Sequence, residues 1–203
     1  MSTSTANSLR AAAAALVVLA AAGCSAAHHR PAPPATPSTS AASGPGPGQS
    51  ALPTGRAGTP AAGLPAHVDS QDATAVAAAA ITADWTWDTA LDTSPADAQR
   101  RSQPWLTPQY AAQVAHAPTV AAPGAQWDTL AAHHGYTTAA LARAFDDPTA
   151  DTATSAWREF TVTVTEHGRD GWHGPVSTYV QYAHLTRPTA GAPWQVDQMR
   201  VAQ

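Results

Sequence analysis

Lysine is absent from this 203-residue chain, which has one cysteine, Cys24, one asparagine, Asn7, and one isoleucine, Ile81. A single cysteine excludes an internal disulfide, so any fold must stand on packing alone. The ten basic residues are all arginines and are outnumbered by fourteen acids, with no basic cluster beyond Arg100 and Arg101. That balance argues against nucleic acid as a partner. The longest run free of polar side chains, Ala11 to Ala22, stops after twelve residues. About 20 are needed to cross the hydrocarbon layer as a helix, so a permanent span is not expected. Aromatic residues are missing before Trp85. No phosphate-cradling glycine loop, two-histidine zinc helix, serine elbow or cysteine pair occurs, and no cofactor or metal is expected.

One charged residue, Arg10, precedes the apolar run, the order found in export signals. The run closes as Leu19-Ala20-Ala21-Ala22-Gly23-Cys24. These residues resemble a bacterial lipobox, departing from it at Ala21, where leucine is commoner. The resemblance implies a signal peptide over 1–23 and a diacylglycerol on the Cys24 sulfur, which would hold the mature chain to the outer face of the cytoplasmic membrane. The alternative is an ordinary secretory signal cut near Ala27, leaving a lone thiol.

From Ser25 to Val68 the chain has nine prolines, six glycines and no aromatic residue. It carries too little apolar surface to offset its ordering entropy, so 24–68 is expected to be a disordered tether. As a flexible coil it would reach roughly 35 to 40 Å from the anchor. His28 and His29 within it are read as solvated polar residues.

All seven tryptophans, all four tyrosines and both phenylalanines fall between Asp69 and Gln203, enough for one core. Asp69 is expected to cap a first helix. In it Val76, Ala77, Ala80, Ile81, Trp85, Trp87 and Leu91 share a face at about 100° per residue. Ser94-Pro95-Ala96-Asp97 reads as cap, first-turn proline and acid, opening a helix that Pro104 stops. Thr107-Pro108 repeats the arrangement before a helix over Gln109 to His116. Trp127, Leu130 and His134 share a face in a fourth helix closed by Gly135.

After Gly135 the period changes. Arg158, Phe160, Val162 and Val164 alternate with Glu159, Thr161, Thr163 and Thr165, as in a strand. Ser177 to Leu185 and Trp194 to Val201 read as two more, the last with a slip between Val196 and Met199 that a bulge would produce. Tyr136 to Phe145 is rich in alanine, yet a strand there would give the sheet a fourth member. The expected class is α+β: helices on one face of a curved antiparallel sheet of about four strands.

The element order, the size and the closing Trp194-Gln195-Val196-Asp197 resemble the cone-shaped domains of the NTF2-like superfamily, including VirB8-like conjugation proteins. Trp87-Asp88-Thr89, Asp92 to Ala98, Arg100-Arg101 and Pro104 to Pro108 are similar to segments of actinobacterial mobile-element lipoproteins. The resemblance covers 69–203. It implies a non-catalytic module that binds another protein, in a conjugation or secretion assembly. The alternative it allows is a small-ligand binder or a proton-transfer enzyme of isomerase or dehydratase type using the cone's interior.

The candidate pocket residues are Asp84 and Asp88, placed by the helical wheel within the apolar arc of the first helix. Either is a carboxyl prepared for proton transfer by burial or a structural fastener held by hydrogen bonds. The tryptophans near Asp88 are read as core filler before a cation pocket. His133 and His134 are read as helix-end residues, His184 as hydrogen-bonded, and Arg100 and Arg101 as a solvated face.

Overall fold

The computed structural model describes residues 55–117, 124–144 and 150–202. The expected signal peptide, Cys24, the histidines His28 and His29 and the expected tether up to residue 54 lie outside the described residues. Described are four α-helices, α1 (Ala73–Trp85), α2 (Pro95–Arg101), α3 (Pro108–His116) and α4 (Ala125–Ala132), with a 3₁₀ turn over Gln103–Trp105. Four strands follow, β1 (Tyr136–Arg143), β2 (Ser155–His167), β3 (His173–Thr186) and β4 (Gln195–Val201). They form one antiparallel sheet in the order β1-β2-β3-β4. The class is α+β, and Tyr136 to Arg143 supplies the first strand; Phe145 is outside the described residues.

The first helix starts and stops elsewhere than its apolar period suggests. Asp72, not Asp69, is the cap, accepting from the Thr74 amide at 2.7 Å, while Asp69 accepts from the Gln71 amide one turn earlier. The helix ends at Trp85, where the Thr86 hydroxyl donates back to the Thr82 carbonyl. Trp87, Asp88 and Leu91 are therefore not on it. The period carried on past the end because two cores are adjacent in sequence. Val76, Ala77, Ala80 and Ile81 lie in a core with Phe160, Val162, Val164, Ala183, Leu185 and Val196. Trp87 belongs to a second one with Ala98, Trp127 and Leu130.

At α2 the proline stands at N1 as expected, but Ser94 makes no capping bond. Asp97 instead accepts from the Thr93 amide at 2.7 Å. Thr107 does cap α3, accepting from the Tyr110 amide at 3.2 Å. At the end of α4 the left-handed residue is His134, φ 48°, rather than Gly135. Gly135 is needed for closeness: a Cβ there would stand 2.4 Å from a Leu130 methyl.

On β2 the buried set is Ala156, Arg158, Phe160, Val162, Val164 and Glu166, the alternation read from the sequence extended at both ends. The β3–β4 register shifts between His184 and Leu185, so that Leu185 faces Val196 and Ala183 faces Met199. The bulge at Asp197 thus returns Met199 to the core side, where it packs against the cluster.

Residues 55–68, expected in the tether, are bound to the domain. The Arg56 amide donates to the Leu91 carbonyl at 2.6 Å, its guanidinium to the Ala90 carbonyl at 2.7 Å, and the Ala61 amide to Asp88 at 2.8 Å. Pro60 is buried and Val68 packs on the core. Composition alone hid this, because much of the hold on the segment comes from its backbone and the Arg56 guanidinium, and only Pro60 and Val68 add apolar packing.

Candidate functional site

The turn after α1 gathers three carboxylates and three arginines. Asp88 is 2% exposed. Its two oxygens accept from Arg169 Nη2 at 2.8 and 2.9 Å, and the Ala61 and Ala90 amides add bonds of 2.8 and 2.9 Å. Asp92 accepts from the Asp88 amide at 2.8 Å and from Arg101, which also donates to the Thr86 carbonyl. Asp97 pairs with Arg100 and takes the Thr93 amide and hydroxyl. Burial would raise the Asp97 pKa, but the bonds from Thr93, Arg100 and Gly55 outweigh it and hold the carboxyl at about 2. Arg100 and Arg101 are thus ion-paired fasteners, not the solvated face expected of them.

A cation does sit near the aromatics and Asp88, but it is the protein's own. The Arg169 guanidinium lies 5.4 Å from the Tyr136 ring centre and donates to the His134 carbonyl at 2.6 Å. With Arg169 in place, Asp88 is a fastener joining the turn, the 55–61 stretch and the β2–β3 loop. Six of the seven tryptophans pack in or against the two cores, Trp85 against both, with Trp85 stacking on Tyr179 at 4.4 Å and Trp87 leaning on Trp127 at 6.4 Å.

Asp84 differs. It lies in the last turn of α1 and is only partly covered. Among the described residues its carboxylate has no hydrogen-bond or ionic partner, and desolvation pushes its pKa up to about 7. Tyr110 on α3 is close enough to respond to it. That hydroxyl is raised first by burial and then by the negative charges of Asp84 and Asp197, against the lowering bond it accepts from the Met199 amide. The helical wheel put both acids in one arc, yet the structure separates them: one neutralised, one without a counter-charge.

The histidines are held. His133 Nδ1 lies 2.7 Å from Asp170 Oδ2, and its ring stacks on Trp172 at 4.3 Å. His184 joins three strands, Nε2 being 2.9 Å from Ser155 Oγ and Nδ1 2.6 Å from Asp197 Oδ1, with Trp157 stacked on the ring at 4.5 Å. This has the connectivity of a hydrolytic triad. The Asp197 oxygen, however, is close to the ring without hydrogen-bond alignment, and so does not fix the tautomer that a triad requires. Among the described residues no group of three or more His, Cys, Asp or Glu is placed to hold a metal, and no helix is long and apolar enough to cross a membrane.

The described clefts lie at the periphery. One of about 410 Å³ opens between residues 55–58 and Asp92, Asp97, Arg100 and Arg101. Another, of about 340 Å³, runs between α4 and β3 over Glu166. Sequence reasoning missed Glu166, because on an alternating strand it reads as one more polar residue, although its position in the buried phase of β2 was a signal. Comparison with protein-family models, with characterised proteins and with solved structures finds no match for this chain.

Proposed function

We propose that this chain is an exported lipoprotein, acylated on Cys24, whose α+β domain is a non-catalytic protein-interaction module of NTF2-like, cone-shaped form. Its helices cover one face of a curved sheet, and it serves in a conjugation or secretion assembly at the outer face of the cytoplasmic membrane. The lipid anchor and the residues up to 54 position the domain away from the bilayer.

The observation that carries this reading is the state of Asp88. A buried carboxylate that could have served proton transfer is neutralised by Arg169 and bonded to two backbone amides. The interior supports the same reading. Ile81, Val162, Leu185 and Val196 are all at 0% exposure, packed together in one apolar core. Affinity capture from detergent-solubilised membranes tests it: a reproducible protein partner is expected, and a chain that retains none while turning over a small molecule would overturn it.

The proton-transfer reading keeps one specific support, the Asp84 carboxyl at about 7 beside Tyr110. A group that titrates near neutrality is suited to exchanging a proton with a bound molecule. On that reading Asp84→Asn would abolish ligand binding or turnover without destabilising the fold.

A further inference from the structure

β3 has 14 residues and β4 only 7, and β4 pairs with β3 over Gln181–Thr186 alone. The Ala202 amide, bonded to the Val180 carbonyl at 2.8 Å, marks where that pairing ends. From His173 to Tyr179, β3 is paired to β2 on one side and on the other has no strand among the described residues. A row of free backbone donors and acceptors is a template for another strand. Val176, 62% exposed, lies on this stretch.

The groove between α4 and β3 runs along the same edge, lined by Gln126, Thr129, Glu166, Ser177 and Tyr179 among others. Tyr179 is fixed there by its stack on Trp85. Glu166 sits where the β2–β3 register shifts and is 2% exposed. Its Oε1 accepts from Gln126 Nε2 at 2.7 Å, and among the described residues no cation pairs with it. A carboxylate taken from water without a counter-charge is costly. Gln126 is exposed on α4, so its neutral amide is a partner that a cation could displace.

We propose that the β3 edge from Val176 to Tyr179 is a docking strand for an extended segment of a partner protein carrying a lysine or arginine, whose cation takes the place of Gln126 on Glu166. The proposal rests on the interaction reading above and names its surface. An added strand would send alternate side chains to the groove side, with Ser177 and Tyr179, and the rest outward with Val176 and Thr178. Pro175, with no amide hydrogen to donate, limits the strip at its start. The chain's net charge of −4 favours encounter with a basic segment.

The test is a titration of the ¹⁵N-labelled mature chain, followed by amide shifts, with the capped heptapeptide Thr-Val-Thr-Lys-Thr-Val-Thr and its counterpart with Glu in place of Lys. Shifts confined to 176–179 and neighbouring α4 amides are expected with the lysine peptide, with binding weakened about tenfold or more for the glutamate peptide. Glu166→Gln should remove the preference between the two peptides, and Val176→Lys should weaken both, each with melting unchanged. No shift at 176–179 up to about millimolar peptide, or a preference that survives Glu166→Gln, overturns the proposal. So does protection, before peptide is added, of the strip amides that face away from β2, which would mean that residues 25–54 occupy the edge. A partner captured from membranes and retained equally by both variants would leave the interaction reading standing and sink the edge alone.

Discussion

Arg169 reaches back 81 positions to Asp88, placing one nitrogen 2.8 and 2.9 Å from the two carboxylate oxygens and closing the β2–β3 loop onto the turn after α1. Replacing Asp88 by Asn leaves Arg169 without its counter-charge and turns one acceptor oxygen into a donor, stranding either the Ala61 or the Ala90 amide. Asp88→Asn should therefore destabilise the domain by roughly 1 to 3 kcal/mol, the usual cost of an unmet buried polar group. Asp84→Asn, which breaks no bond among the described residues, should not destabilise it at neutral pH. Chemical denaturation of the two single variants decides, and equal losses would contradict the division of roles.

The same two classes of acid give stability a maximum in mildly acidic solution. Asp84 has a folded pKa of about 7 against an ordinary 3.8, so between those values the folded state holds a proton that the unfolded state releases. Its contribution falls as pH rises from about 4 to 7 and is level above that. Asp97, held at about 2, and Asp151, lowered by its bidentate bond from Arg158, act with opposite sign. Their contribution is complete above about pH 4 and is lost as pH falls below it. Melting temperature against pH should show both limbs, and Asp84→Asn should flatten the upper one only. An upper limb unchanged in that variant would assign it to another group.

How far the ordered domain extends upstream is open to direct measurement. A chain beginning at Gly55 should melt in one cooperative step, reported by tryptophan fluorescence. One beginning at Asp69 loses the Ala61 amide on Asp88 and the Arg56 bonds to Ala90 and Leu91. It should be less stable by roughly 1 to 3 kcal/mol. Identical midpoints would show that 55–68 adds nothing.

Cys24→Ser should move the mature protein from the detergent phase to the aqueous phase. Wild-type protein that already partitions to water, with no acyl group in its mass, would contradict the anchor.

The strands were legible because Phe160, Val162 and Val164 alternate with threonines, and a period of 2 survives wherever one face is buried. The β4 bulge was legible too, since Val196 and Met199 stand out of phase and yet both pack inward. The end of α1 was not: Trp87 continues the helical period while entering a different core, and helical spacing alone does not tell one core from two. Asp84 and Asp88 were found as acids among apolar residues. Their opposite states depend on Arg169 and Ala61, respectively 81 and 27 residues from Asp88, which local pattern does not reach.

The most direct test of the account is quantitative affinity capture after cross-linking in intact cells, comparing wild type, Asp84→Asn and an unrelated lipoprotein control. The account predicts one reproducible envelope protein, enriched equally by wild type and Asp84→Asn and absent from the control. No enriched protein, together with a small molecule that co-purifies with wild type and is lost in Asp84→Asn, would contradict it.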